Sequence, residues 1–213
     1  MITTVLFDFD GTLADTNKLI INSFRHIYEK FQNTKDMDEK YILSTFGEPL
    51  ITTMNRDFEM HNIEDVIASY REYQVERFND EVFLYDKVAE TLEYLKDKNI
   101  SMGIVTSRLR KSTMDALENF KIIQYFDSII TADDTEVHKP NKEPLIMALN
   151  QLNKNVSETL FVGDSKFDME CAMNAEAIPV LVGWQSNSKE LAEQYKIKNV
   201  LSNMWELTKL INQ

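Results

Sequence analysis

Apolar and polar positions along this chain follow two rhythms. Thr4-Val-Leu-Phe7 is a short apolar run, broken by Asp8 and Asp10 one residue apart and then by Gly11. It reads as a buried strand that the chain leaves sharply at the glycine. From Thr16 the rhythm turns helical, with Ile20, Phe24, Ile27, Tyr28 and Phe31 on one stripe. A polar break over 32–40 follows, then Tyr41 to Phe46, the loop Gly47-Glu48-Pro49, and amphipathic stretches to about Asn79. No convincing strand lies between 17 and 80. That block is expected to be a small helical bundle inserted after the first strand.

From Tyr85 helix and strand alternate. Tyr85, Val88, Leu92 and Leu95 mark a helix closed by Lys98-Asn99, and Ile100–Val105 a strand ending at Thr106-Ser107. A helix through Met114 and Leu117 precedes a strand near Ser128–Thr131. Leu145, Leu149 and Leu152 mark the next helix, and Leu160–Val162 the next strand. A helix to about Asn174, a strand over Ile178–Val182 and helices near 188–196 and 204–211 complete the pattern. Strands alternating with helices predict a parallel sheet covered on both faces. The fold class is α/β with a helical insertion.

Composition narrows the options. The 213 residues, 43% of them hydrophobic, can bury a substantial core as one large domain or one domain with an insertion. The formal charge of −12 speaks against a nucleic-acid or anionic-membrane surface. It leaves a small anionic substrate open, since one metal and one lysine reverse a local field. No apolar run approaches the ~20 residues needed to span a bilayer, and no signal peptide precedes the first strand. The single cysteine, Cys171, fits a reducing cytoplasm.

With 35 acidic residues, two aspartates at this spacing are expected by chance. Asp36-Met37-Asp38 has the same spacing with no strand before it and no glycine after it, and reads as a solvated turn. Context distinguishes Asp8 and Asp10: a rigid strand end holds two carboxylates that repel unless a cation lies between them or one keeps its proton. In open parallel sheets ligands bind beyond the carboxyl ends of the strands, so Asp8, Asp10, Thr106, Ser107 and Gly163-Asp164-Ser165 should converge.

Each partner has a plainer reading beside the chemical one. Ser165 or Asp164 could cap a helix, with Asp168 a solvated carboxylate in its first turn. Alternatively a third carboxylate completes an oxygen-only site suited to Mg²⁺. Asp164 and Asp168, four apart, could share a helix face. Thr106 and Ser107 could be N-caps, or could sit where free N–H groups favour an anion. Lys139, followed by Pro140, would give a carboxylate-rich site the positive group that a phosphate needs. Cys171 reads as packing, the ten methionines as core filler, and His26, His61 and His138 as isolated. Trp184 and Trp205 are expected to lie away from the motifs.

Asp8-Phe-Asp10-Gly-Thr, hydrophobic-Thr106-Ser107, Lys139-Pro140 and Gly163-Asp164-Ser165-x-x-Asp168 resemble, in order, the four motifs of the haloacid dehalogenase superfamily of phosphatases. The resemblance covers essentially the whole chain. It implies a Rossmann-like core over 1–15 and 82–213 and a helical C1-type cap over 16–81. It also implies an enzyme: a phosphatase with Asp8 as nucleophile and Asp10 as general acid/base. Mg²⁺ would be held by Asp8, the Asp10 carbonyl and Asp164, with Asp168 in support, while Thr106, Ser107 and Lys139 would bind the phosphoryl oxygens. Val5-Leu-Phe-Asp-x-Asp-Gly-Thr-Leu-x-Asp-Thr-Asn17 and Ala132-Asp-Asp-x-Glu-x-x-Lys-Pro-x-x-Glu-Pro144 look most like the small inorganic pyrophosphatases of the superfamily. Gly47-Glu48-Pro49-Leu50, the expected specificity loop of the cap, looks more like its phosphoglycolate phosphatases. The expected partner is a small phosphorylated substrate or pyrophosphate, and the expected state a monomer or homodimer. A phosphomutase on the same scaffold and a receiver-like phospho-aspartate module are the competing readings.

Overall fold

A computed structural model describes residues 1–211. Its centre is a sheet of β1 (Thr4–Phe7), β4 (Ser101–Val105), β5 (Ser128–Ile130), β6 (Thr159–Gly163), β7 (Ile178–Val182) and β8 (Asn199–Leu201). The strand order is β5-β4-β1-β6-β7-β8, and every adjacent pair is parallel. The connecting helices are α5 (Val88–Asp97), α6 (Arg110–Asn119), α7 (Glu143–Leu152), α8 (Lys166–Ala175), α9 (Ser188–Tyr195) and α10 (Leu207–Ile211).

All four residues of β1 are buried, because helices cover both faces of the sheet. Val5 and Phe7 belong to the larger cluster with Leu92, Leu95 and Leu117, whereas Leu6 faces Leu145, Leu149 and Phe161 on the other side. That is the two-residue alternation of a strand, with both faces apolar. Each such side chain contributes roughly 1.5–3 kcal/mol on burial, which fixes β1 in the middle of the sheet.

Between β1 and α5 the chain makes a long excursion. It passes through β2 (Ala14–Asp15), then α1 (Asn17–Gln32), α2 (Glu39–Ser44), α3 (Leu50–Asp57) and α4 (Ile63–Glu81), and returns through β3 (Phe83–Leu84). These helices pack around a cluster of their own, with Phe24, Ile27, Ile42, Met54, Phe58, Val66 and Tyr70. The outgoing and returning strands lie antiparallel, Ala14 opposite Leu84 and Asp15 opposite Phe83. This ribbon and β8 are absent from the sequence reading, since two or three residues are too few to show a period. The Asp36-Met37-Asp38 pair behaves as a surface feature: Asp38 is exposed and caps α2 by accepting from the N–H groups of Lys40 and Tyr41.

Candidate active site

Three central strands deliver the site. Phe7 pairs with Ile104 on one side and Val162 on the other, so β1, β4 and β6 end side by side. Asp8 follows β1, Thr106 follows β4 and Asp164 follows β6, and all three are buried. The ladder runs one step past the strands: Asp8 N–H donates to Val162 O, and Thr106 N–H donates to Ile130 O. These side chains therefore spring from hydrogen-bonded backbone.

Gly11 makes the close approach possible. It sits at φ +73°, and a Cβ there would collide with the Asp164 carboxylate. The loop folds back at once, with Gly11 N–H donating to Ala14 O and both Leu13 and Ala14 N–H donating to Phe9 O. Thr12 Oγ1 reaches Asp164 Oδ1 at 3.5 Å.

Asp8, Asp164 and Asp168 each place a carboxylate oxygen within 4.8 Å of the others. One cation lies among them. Lys139 Nζ donates to Asp168 Oδ1 at 2.7 Å and to Val105 O at 3.2 Å, and stands 3.0 Å from Asp8 Oδ1. The approach to Asp8 is an ion pair without the angle of a directed hydrogen bond, so Asp8 Oδ1 is buried with no hydrogen-bond partner. The Lys139–Pro140 peptide is cis.

Three buried carboxylates and one ammonium leave the pocket short of positive charge. Burial pushes the Asp8 carboxyl up to about 7, opposed by Lys139 and reinforced by Asp168 and Asp10. Burial, followed by Asp168 and Asp8, holds Asp164 well above the usual carboxylate range. For Lys139, burial works against the charge, but Asp168 and Asp8 outweigh it and hold the ammonium above the ordinary lysine value. A small oxygen-preferring divalent cation fits this donor set, since it would supply the missing charge and a partner for Asp8 Oδ1.

Several expectations change. Asp168 is fully buried rather than a solvated first-turn acid. Its Oδ2 accepts from both Ser165 N–H and Ser165 Oγ, and Ser165 Oγ in turn accepts from Asp168 N–H. This capping box starts α8 and spends both Asp168 oxygens within the protein, because Oδ1 already takes Lys139. Asp164 precedes α8 and so does not share a helix face with Asp168. Neither Thr106 nor Ser107 caps a helix: α6 begins at Arg110 after Leu109, with no side-chain cap. The Thr106 N–H is spent on Ile130 and is not free for an anion. Cys171 is buried packing, its thiol pushed up to about 12 chiefly by burial. Of the methionines, Met54, Met102, Met169 and Met204 fill the core, whereas Met1 and Met60 are exposed.

The match to a family model for haloacid dehalogenase-like hydrolases spans residues 5–182. The chain belongs to this family. Pyrophosphatase PpaX of Bacillus mycoides is 36% identical over 212 residues, covering 100% of this chain and 98% of its own length. Pyrophosphatase PpaX of Halalkalibacterium halodurans is 34% identical over 210 residues, covering 99% and 97%. Among solved structures, a haloacid dehalogenase-like family hydrolase from Streptococcus pneumoniae superposes with TM-score 0.83 at 24% identity, covering 98% of each chain. A predicted phosphoglycolate phosphatase from Haemophilus somnus superposes with TM-score 0.86 at 21% identity, covering 100% of this chain and 98% of its own. The chain is thus a phosphatase-class hydrolase of this family.

This hydrolase carries further site residues that sequence reasoning missed. Arg108 Nη1 donates to Asp10 Oδ1 at 2.8 Å, and its side chain is only 9% exposed. Tyr70 on α4 is close enough to feel both: burial first, then Asp10, raise its hydroxyl pKa, with Arg108 opposing. Trp184, expected to be remote, donates from Nε1 to Gly11 O at 3.0 Å, and Gln185 Nε2 donates to the same carbonyl at 2.9 Å. Both therefore brace the loop that carries Asp10. Trp205 does lie elsewhere, packed against Tyr94.

The insertion touches the site through Gly47. Its carbonyl accepts from Ser107 Oγ at 2.9 Å. Gly47 has φ +87°, and a Cβ there would come within 2.7 Å of Ser165 Oγ. Glu48 faces away into an internal clasp, paired with Arg56 at 3.1 Å and accepting from Thr53 Oγ1 at 2.7 Å. Among the described residues, no helix is long and apolar enough to cross a membrane.

Proposed function

We propose that this hydrolase removes the phosphoryl group of a small phosphorylated metabolite or of pyrophosphate by way of a phosphorylated Asp8, with Mg²⁺ as its cofactor. The observation that carries the reading is Asp8 Oδ1: buried, without a directed hydrogen bond, and facing two further carboxylates beside a single lysine. The Lys139 ammonium at 3.0 Å is all that answers this oxygen, an arrangement suited to an oxygen kept for cation and phosphorus.

Asp8, Asp164 and the Asp10 main-chain carbonyl would hold the ion, with Asp168 behind them fixing Lys139. Bound there, Mg²⁺ supplies positive charge that offsets the repulsion between a carboxylate and a phosphate. Lys139 adds the protein's own charge to the transferring oxygens. The Thr106 hydroxyl accepts from Arg108 N–H, which leaves its hydrogen free for a phosphoryl oxygen. The Ser107 hydroxyl is committed to Gly47, so any help from Ser107 comes from its backbone.

In the first step an Asp8 carboxylate oxygen bonds to phosphorus while the bond to the leaving oxygen breaks. The electron pair goes to that oxygen, which takes a proton from Asp10. In the second step Asp10 accepts a proton from water, the water oxygen bonds to phosphorus, and Asp8 departs as carboxylate. Phosphate and the dephosphorylated leaving group are the products. Residues 16–81 act as the cap that shields this chemistry from bulk water, over a core of 1–15 and 82–213.

Phosphate release from pyrophosphate, phosphoglycolate and sugar phosphates, with and without Mg²⁺, tests the assignment. Asp8→Asn should abolish release in a folded protein, and retained activity would refute the role of Asp8. Asp10→Asn should slow turnover by ~10²–10⁴-fold, the usual worth of general acid–base catalysis.

A further inference from the structure

We propose that Arg108, with Tyr70 beside it, receives a second anionic group on the leaving part of the substrate. Its ion pair with Asp10 is then the resting position of an arm that substrate draws away. The inference deepens the reading above and rests on it, since it takes Asp10 as the acid at the leaving oxygen.

Position comes first. A group that protonates the leaving oxygen stands next to it, and the Arg108 guanidinium stands 2.8 Å from that acid. Arg108 therefore lies where the remainder of the leaving group must go. Its backbone is fixed on both sides: its N–H donates to Thr106 Oγ1 at 3.2 Å, and its carbonyl accepts from Ala132 N–H at 2.9 Å. Its Cζ lies 5.4 Å from the centroid of the fully buried Phe9 ring, a cation–π contact that holds the plane of the arm.

Unspent donors come second. Arginine offers five N–H groups in a rigid fork. Here the Arg108 Nε is buried and has no partner, and Asp10 engages only Nη1. Tyr70, from the helical insertion, is buried too, and its hydroxyl lies in the field of both Asp10 and Arg108. A buried guanidinium with an idle donor beside a buried tyrosine fits a planar multidentate anion such as a phosphate or carboxylate. When that anion takes the fork, Asp10 loses its ion-pair partner and turns to the leaving oxygen. The substrate class is then a phosphate ester or anhydride whose leaving group bears its own negative charge close to the bridging oxygen.

The test uses the full-length enzyme with Mg²⁺ and compares kcat/KM for pyrophosphate and phosphoglycolate with that for p-nitrophenyl phosphate, whose leaving group lacks a second anion. In Arg108→Gln the ratio of an anionic-leaving substrate to p-nitrophenyl phosphate should fall about 100-fold, mostly through KM, as a site loses a buried polar anchor. Arg108→Lys keeps the charge without the fork and should lose about tenfold of that ratio, with Tyr70→Phe losing less. A fall for pyrophosphate alone assigns the site to a phosphoryl group, and a fall for phosphoglycolate alone to a carboxylate; either supports the inference. A ratio within twofold of wild type in both folded Arg108 variants overturns it, as does a proportional loss on all three substrates. In that case an inactive Asp8→Asn leaves the underlying reading standing, whereas an active one removes it.

Discussion

The sheet and the helical insertion meet at one site but hold their residues there differently. Asp8, Thr106 and Asp164 each follow a strand, and the hydrogen-bond ladder runs past the strand ends into Asp8 and Thr106. The insertion contributes through a loop glycine and one helix face, Gly47 and Tyr70, which rest on a separate apolar cluster. Its polar contacts lie nearer solvent: Arg56, bound to Glu48, Tyr41 and Asp57, is about half exposed. The buried centre draws its placement from backbone pairing, whereas in the proposed reading the insertion needs only to cover and select. The two parts are joined through neighbouring strands, so chain leaves and returns at one place.

Lys139→Met should break the sheet side most severely. It removes the one cation from three buried carboxylates, and breaking a buried pair typically costs 3–5 kcal/mol. Urea unfolding and phosphate release should both collapse, and a stable, active variant would show that the charge balance is misjudged. A matching change in the insertion should be milder. Gly47→Ala forces a Cβ at φ +87° against Ser165, and should lower kcat/KM about tenfold while shifting the unfolding midpoint of the core little. Equal damage to both would dissolve the contrast.

The smallest effect runs the other way. Asp164→Asn should stabilise the metal-free protein by about 1 kcal/mol, since it removes a carboxylate from a crowded low-dielectric site. The folded pKa of Asp164 is raised above 3.8, so the acid's relative stability is complete below that value and is lost as pH rises towards the folded pKa. The gain from Asp164→Asn in EDTA should therefore be larger at pH 8 than at pH 5. Thermal melts at the two pH values check the sign, and a larger gain at pH 5 would contradict the burial argument.

What the sequence revealed follows from the range of each interaction. The strands β1, β4 and β6 were legible because short apolar runs end on chemistry-bearing residues, and β7 because Ile178–Val182 is apolar throughout. Asp8 and Asp10 stood out through Gly11, and Lys139 through the need for a counter-charge. Burial of Asp168 was illegible, because a first-turn acid is normally solvated and the lysine that buries it lies 29 residues away. Arg108 reaches an aspartate 98 positions earlier, and Trp184 binds a main-chain carbonyl 173 positions earlier. Neither contact leaves a local pattern. That Glu48 of the expected specificity loop holds Arg56 and Thr53 was illegible for the same reason, since these contacts come from the packing of α3 and not from spacing.

The central claim is that buried carboxylates from separate strand ends gather beside Lys139 so that one of them, Asp8, can strike phosphorus. Borohydride added during turnover reduces an acyl phosphate on aspartate to homoserine, which peptide mass spectrometry locates. The account predicts homoserine at residue 8, formed only when substrate and Mg²⁺ are both present. Continued turnover with residue 8 unmodified, or with the label on another aspartate, would contradict it.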